Sequence, residues 1–232
     1  MHRPAVAAAT AVLALIASAA LAAAATTPTR PGFHAQITNA WFPAAPGMRW
    51  VYRGLDSGRP ARDVVRVTDR VAIVDGMPCA VISDRLYIRG RLEERTTDWY
   101  TQDRRGTVWY YGERTAELDR HGRVVTREGS WQAGRRGARP GVFMPARPRV
   151  GQSFAQEHFG GHAEDHFRVI SRQSSVTVPF GAFRGRVLLT HEWTPLERGV
   201  LDGKWYVKGV GEVRESALKG PAETAELVAL HR

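Results

Sequence analysis

Turn-forming residue pairs recur at short intervals through the middle of the sequence, and this spacing constrains the fold more than any other feature. The pairs are Asp75-Gly76, Arg89-Gly90, His121-Gly122, Gly160-Gly161 and Lys219-Gly220. The segments between them are rich in β-branched and aromatic residues, as in 63–74, 79–88, 107–111, 167–170, 176–180 and 187–190. Short segments of this kind between tight turns are typical of consecutive antiparallel hairpins.

Several of these segments are apolar on both faces of the predicted strand. Val108 and Tyr110 would point to one face, and Trp109 and Tyr111 to the other. Strands buried on both sides favour a closed or strongly curled sheet over a flat one. The sequence therefore predicts a mainly β protein, an antiparallel meander curled into a barrel or half-barrel with an internal groove. At most a short helix is expected near Phe33–Ala40, after Pro31 and Gly32.

The first 25 residues have the pattern of a secretory signal peptide. Arg3 precedes an uncharged, alanine-rich run that ends in small residues. The alternative is an uncleaved membrane anchor, because about 20 apolar residues suffice to span a bilayer. We expect cleavage near Ala25 and export to the periplasm or the medium. No later apolar stretch approaches that length, so the mature chain is expected to be soluble and not an integral membrane protein.

The rest of the chain is predicted to be an N-terminal extension, 26–40, followed by one β-rich domain, 41–232. A Gly/Pro-rich stretch at 133–149 is expected to be a loop covering a sheet edge or a junction between two sheets. The single cysteine, Cys79, excludes an intrachain disulfide and a cysteine-rich zinc site, and it is expected to be a small buried residue.

The segment 157–166 concentrates the side chains best suited to chemistry. If Gly160-Gly161 is a two-residue hairpin turn, four side chains fall on one face: Glu157, His162, Glu164 and His166. Two histidines with a carboxylate between them would bind one divalent metal if the strand is bent. The alternative is that arginines such as Arg168 and Arg172 neutralise the carboxylates of a solvated hairpin. A three-residue turn would break the set.

Aromatic residues form a second group of candidates. Seven tryptophans and six tyrosines are present, and exposed rings on a concave sheet would suit an apolar or carbohydrate ligand. Trp99, Tyr110 and Trp193 are the predicted ligand-binding residues. The alternative for each ring is packing in the core of the curled sheet.

The formal net charge is +10, and nearly all of the basic residues are arginines. The densest cluster comprises Arg135, Arg136, Arg139, Arg147 and Arg149. Such an excess suits an anionic surface polymer, or forms an ordinary solvated face. Nucleic acid is not an expected partner, because no recognition helix or aromatic RNA-binding motif is present.

Several motifs together resemble a group of exported bacterial β-rich proteins. They are WFP at 41–43 leading to PG and WVY at 50–52, GHAED at 161–165, VPFGAF at 178–183 leading to EWTPLE, and KWY at 204–206 leading to GVGEV. The opening and the VPFGAF segment are also distantly similar to periplasmic curled-sheet proteins, some of which hold lipidic ligands. The resemblance implies export and the fold class, and it carries no activity.

The sequence is compatible with three functions. The first is a binding module for an apolar or carbohydrate ligand, which predicts a Trp/Tyr-lined groove without a cluster of ionisable groups inside. The second is a metal-dependent hydrolase that uses the 157–166 hairpin, in which the metal would activate water. The third is a structural protein held on anionic cell-wall polymers. No cofactor other than a divalent metal is suggested, and the sequence does not decide whether the protein is an enzyme.

Overall fold

The computed structural model describes residues 32–232, and the predicted signal peptide lies outside this range. Seventeen β-strands occupy the described part: β1 (Phe33–His34), β2 (Arg49–Asp56), β3 (Arg59–Val74), β4 (Met77–Ile88), β5 (Arg91–Asp103), β6 (Val108–Glu113), β7 (Ala116–Leu118), β8 (Val124–Thr126), β9 (Trp131–Gln132), β10 (Arg139–Met144), β11 (Ser153–Ala155), β12 (Glu157–His158), β13 (His166–Val178), β14 (Gly181–Trp193), β15 (Leu201–Val207), β16 (Gly211–Lys219) and β17 (Thr224–His231).

Thirteen strands form one antiparallel ladder in the order β12-β10-β6-β5-β4-β3-β2-β17-β16-β15-β14-β13-β11. Its two end strands are neighbours in the chain, separated only by Gln156. The backbone N–H groups of Gln156 and Glu157 both donate to the carbonyl of Asp165, at 2.7 and 3.4 Å. The sheet is therefore nearly closed into a barrel, which confirms the predicted fold class.

The predicted hairpin turns at the start of the ladder form as expected. Asp75 and Gly76 join β3 to β4 with φ of 47° and 74°, and Arg89 and Gly90 join β4 to β5 with φ of 51° and 83°. Positive φ at both central residues matches the right-handed twist of the flanking strands, and glycine adopts it without steric cost.

Closure of the sheet into a barrel depends on a glycine in β10. A Cβ atom on Gly141 would lie 2.2 Å from the carbonyl oxygen of Gln156, the residue between the two end strands. Only a residue without a side chain allows this approach. Residues 133–149, expected to be a loop or junction, thus contain a strand of the ladder, Arg139–Met144.

The short helix that the sequence allowed at Phe33–Ala40 does not form, and no helix occurs in residues 32–232. Phe33 and His34 instead pair with the end of β5 as an added strand. The backbone N–H groups of Thr38 and Asn39 donate to the side-chain oxygen of Gln102, at 2.9 and 2.8 Å. These donors are taken by β5, so no helical ladder forms. Consistently, no helix able to cross a membrane is found in the described part of the chain.

The added strand explains why β6 is apolar on both faces. Tyr110 points into the barrel, where its ring stacks on Tyr100 with centroids 4.6 Å apart. Trp109 lies on the other face and meets the ring of Phe33 edge-on, with centroids 6.4 Å apart. β1 therefore covers part of the outer surface, and the inner face of the sheet surrounds the shared core.

Candidate ligand cavity

The interior of the barrel contains a hollow made of three adjoining parts, which we call the interior cavity. The first part, about 210 Å³, is lined by Tyr52, Asp63, Asp84, Glu94 and Glu215 among others. The second part, also about 210 Å³, shares Tyr52, Asp63, Asp84 and Glu215 with the first and adds the aromatic rings of Phe42, Trp50, Tyr100 and Phe143. The third part, about 200 Å³, shares Tyr100, Phe143 and Lys204 with the second and extends to Tyr110, Glu113, Glu157, Asp165 and Glu192.

Strand alternation places these polar groups inside. In β5, Glu94, Asp98 and Tyr100 have the same parity and line the cavity, whereas Trp99 lines a groove on the outer surface. Because successive side chains of a strand point to opposite faces, a carboxylate two residues from an inward-facing ring also points inward. The same rule applies in β15, where Lys204 and Tyr206 share a face.

Lys204 is the cationic side chain of the second and third parts. Its Nζ lies 3.2 Å from Glu192 Oε2 and 3.4 Å from Glu215 Oε1. Burial by itself lowers the pKa of Lys204, but the surrounding carboxylates outweigh it and raise the pKa well above its ordinary value. The lysine therefore stays charged and holds two carboxylates together.

Four other carboxyl groups have strongly raised pKa values. Burial, with the repulsion of neighbouring carboxylates, raises the pKa values of Asp98, Glu113, Glu157 and Glu212 to about 8. Tyr110 Oη donates to Asp98 Oδ1 at 2.7 Å, and Trp131 Nε1 donates to Glu157 Oε1 at 2.9 Å. With these pKa values, the four groups are mostly protonated at pH 7.

Asp63 and Asp84 form a carboxyl pair on neighbouring strands. Asp63 pairs across the ladder with Leu86, so Asp84 is its diagonal neighbour on the same face. Burial, followed by the charge of Asp84, raises the pKa of Asp63 well above its ordinary value, and burial also raises the pKa of Asp84. Asp63 Oδ1 is buried and accepts no hydrogen bond from the described residues. A buried acceptor without a donor is costly and marks a place where a ligand group would be stabilised.

Aromatic rings form one wall beside these acids. The ring of Tyr100 lies 5.2 Å from that of Phe42 and 4.8 Å from that of Phe143, and Phe42 and Phe143 are 4.7 Å apart, centroid to centroid. All three line the second part of the cavity, opposite carboxyl groups of β3, β4 and β16. The site can therefore satisfy a ligand that carries both hydrogen-bond donors and an apolar portion.

The three predicted ligand-binding residues lie in different places. Tyr110 is in the wall of the cavity. Trp99 lines an outer groove with Arg135 and Arg136. Trp193 stacks on His166 with ring centroids 5.7 Å apart. The expectation of a groove without ionisable groups is wrong, because inward-facing carboxyl groups of eight strands and adjoining loops converge on the cavity.

The predicted metal set is not brought together. Phe159 bridges to Ala163, so the turn spans three residues rather than two, and the expected register is wrong. Glu157 points into the cavity, whereas His162 is exposed and stacks on Phe159. Glu164 Oε1 accepts from the Gly161 N–H at 2.7 Å, and His166 Nδ1 lies 2.7 Å from the Glu164 carbonyl oxygen.

Within residues 32–232, no group of three or more His, Cys, Asp or Glu side chains is arranged to hold a metal ion. The metal-dependent hydrolase stays a prediction of the sequence, and the geometry of this hairpin does not favour it. Elemental analysis of the purified protein and of a His162→Ala, His166→Ala double variant tests it.

The outer surface is basic, in contrast to the interior. The five clustered arginines of 135–149 are all exposed. A separate open hollow of about 690 Å³, at the irregular pairing of β13 with β14, is lined by Arg172, Arg186 and Lys208 and by no carboxylate. None of these three cations forms an ion pair within the described range.

Sequence reasoning missed the main polar residues of the cavity: Asp63, Asp84, Asp98, Lys204 and Glu212. A usable signal was present, because Asp and Glu are depleted in strands. Asp98 follows the β-branched residues Thr96 and Thr97 and stands two residues before Tyr100. An acidic residue two positions from an aromatic residue is predicted to lie on the same face of the strand. If that face is buried, the acidic side chain is a buried polar group that requires a hydrogen-bond or ionic partner.

Comparison with known proteins gives one distant similarity. No protein-family model matches the sequence, and no curated protein matches it. Among solved structures, the fold is similar to that of a protein described as a "putative lipoprotein" from Parabacteroides distasonis ATCC 8503, with 12% sequence identity and a TM-score of 0.42. The match covers 83% of this chain and 99% of that one.

Proposed function

We propose that the protein is an exported binding protein that takes a small organic ligand into its interior cavity. Export rests on the signal-peptide pattern of residues 1–25. Binding rests above all on Asp63 Oδ1, a buried acceptor that lines the cavity and receives no hydrogen bond from the described residues. A native protein leaves few such groups without a partner, and a ligand donor would supply one.

The lining selects against a purely apolar ligand. A hydrocarbon chain in the cavity would bury carboxyl groups without giving them hydrogen bonds, at a cost of roughly 1–3 kcal/mol for each unsatisfied group. A ligand with several N–H or O–H donors and one apolar face satisfies both the acids and the wall of Phe42, Tyr100 and Phe143. Of the two ligand classes expected from the sequence, the carbohydrate fits this lining better than the apolar one.

The test uses a cavity-filling substitution and a matched surface control. Ala225 lines the first and second parts of the cavity, so Ala225→Phe blocks them. Ala182 is exposed beside the β13–β14 turn, and Ala182→Phe adds the same ring to the surface. Thermal unfolding is measured with panels of sugars, amines and fatty acids. A ligand at 100 times its Kd is expected to raise Tm by roughly 5–10 °C in the parent and in Ala182→Phe.

Ala225→Phe is expected to lose this Tm shift while keeping the β-sheet circular dichroism of the parent. Ala225→Leu, with a smaller side chain, serves if the phenylalanine variant does not fold. Equal Tm shifts in all variants would place the ligand outside the cavity. If no compound from the three panels raises Tm, the proposed function is refuted.

A second candidate function, association with an anionic surface polymer, is supported by Arg172, Arg186 and Lys208 around the open outer hollow, which form no ion pair with the described residues. Binding of this kind is electrostatic and screened by salt. Retention on an anionic polymer column that disappears near about 0.5 M salt would support it, and retention unaffected by salt would count against it.

A further inference from the structure

We infer that the ligand of the interior cavity is an organic cation, a protonated amine joined to an apolar group. This inference rests on the proposed function and specifies the chemical class of its ligand. It follows from the sign of the charges that face the cavity, from a buried acceptor that has no donor within residues 32–232, and from the aromatic wall beside them.

The balance of charges inside the barrel is the first argument. The whole chain carries a formal +10, yet the cavity is lined mainly by carboxyl groups. Lys204 is already shared between Glu192 and Glu215. In the part of the chain that the structure describes, no ion pair involves Asp63, Asp84, Asp98 or Glu212. The second part of the cavity therefore has several carboxyl groups in excess of its single cation.

The acceptor and the ring wall supply the second argument. Asp63 Oδ1 accepts no hydrogen bond within residues 32–232, and the Asp63 carboxyl group interacts with another carboxyl group, Asp84, through its charge and a side-chain hydrogen bond. An ammonium group has only donors, so it satisfies such a pair without adding a lone pair of its own. The nearby faces of Tyr100 and Phe143 attract a cation and accept its apolar part. A neutral sugar satisfies the acceptors but supplies no positive charge, so it leaves the buried carboxyl groups protonated instead of favouring their ionised form.

Ligand entry is then coupled to proton release. The titratable groups that influence Asp98 and Glu212 across the barrel are Asp84, Glu94, Glu157, Tyr110, Lys204, Glu192, Glu215 and Tyr206. Five of these eight are carboxyl groups and two are phenols, so Asp98 and Glu212 retain their protons near neutral pH. A bound cation favours the ionised carboxylates, and the displaced protons pass to the buffer. Affinity is expected to increase about tenfold per pH unit for each proton released, between pH 6 and 8.

The experiment compares ligands of similar shape that differ in charge. The probes are 1,4-diaminobutane against 1,4-butanediol and glucosamine against glucose, titrated by isothermal calorimetry at pH 7.5 in two buffers of different ionisation enthalpy. At least one amine is expected to bind ten times more tightly than its neutral counterpart, with proton release. Asp63→Asn is expected to reduce that amine affinity about tenfold, and Asp69→Asn, an exposed position on the same strand, is expected to leave it unchanged.

The outcomes separate this inference from the proposed function. The inference of a cationic ligand is overturned if the neutral compound binds as tightly as the amine, or if only other ligands from the three panels bind. Either result leaves the proposed function, ligand binding in the interior cavity, in place. Amine binding that Asp63→Asn does not weaken, or that releases no proton, overturns the inference as well. If no compound of any panel binds, both proposals fail together.

Discussion

Replacing Asp98 by asparagine is expected to make the protein more stable at neutral pH and to change little in acid. Asp98 is buried, and Tyr110 Oη donates to its Oδ1 at 2.7 Å. Asparagine keeps an oxygen that can accept this bond and has nearly the same shape, but it cannot ionise. The substitution therefore isolates the consequence of one buried carboxyl group.

The magnitude follows from the two pKa values of this group. Burial, with the charge of Asp84 next, raises the pKa of folded Asp98 to about 8, whereas an unfolded aspartate has a pKa of about 3.9. Between these values the folded protein binds the proton more tightly, so the free energy of unfolding decreases as the pH rises. From pH 5 to pH 7 the loss due to this group is about 2.6 kcal/mol.

The assay is urea unfolding followed by tryptophan fluorescence, for the parent and for Asp98→Asn, at half-unit intervals from pH 4.5 to 8. The variant is expected to gain about 2.6 kcal/mol over the parent between pH 5 and pH 7, because only the parent has a carboxyl group at this position that loses its proton on unfolding. A difference between the two proteins that does not change with pH would refute the reasoning. Asp69→Asn, at an exposed position, is the control and is expected to show no pH-dependent gain.

Three further predictions concern other parts of the barrel. Lys204→Met is expected to lower the free energy of unfolding by about 3–5 kcal/mol at pH 8, because Glu192 loses its cation inside the barrel. The loss of stability should be smaller at pH 5, and a loss that does not depend on pH would contradict this prediction. Gly141→Ala is expected to cost about 3 kcal/mol in urea unfolding through its clash with Gln156, whereas Gly160→Ala, whose added Cβ would meet only Glu164 Oε1 at 3.6 Å, lacks this clash. Burial raises the pKa of Cys79 to about 12, so a thiol reagent should modify it only after unfolding; fast modification of the native protein would disprove this.

The fold class was predictable because it depends on local features. Asp75-Gly76 and Arg89-Gly90 favour tight hairpin turns wherever they occur, and the β-branched segments beside them favour strands. The apolar character of both faces of 108–111 predicted a curled sheet, and it was explained by β1 on one side and the barrel interior on the other. Only interactions between near neighbours in sequence were needed for these conclusions.

The errors arose where a distant residue decided the local conformation. The segment 33–40 lacks a helix because Gln102, more than sixty residues later, accepts hydrogen bonds from Thr38 and Asn39. The turn at Gly160-Gly161 includes a third residue, His162, whose ring stacks on Phe159. One extra residue in a turn reverses the parity that the metal hypothesis required.

The sequence by itself determined that the chain is built of antiparallel hairpins and that several segments are apolar on both faces, because turn chemistry and side-chain alternation act over a few residues. Only the tertiary structure decided that acids from separate strands face one another. Asp63, Asp98 and Glu212 lie far apart in the sequence, and closing the ladder at Gln156 brings them to the same interior cavity. Their pKa values are raised because the folded barrel buries these groups together, and no single segment of the chain produces that burial by itself.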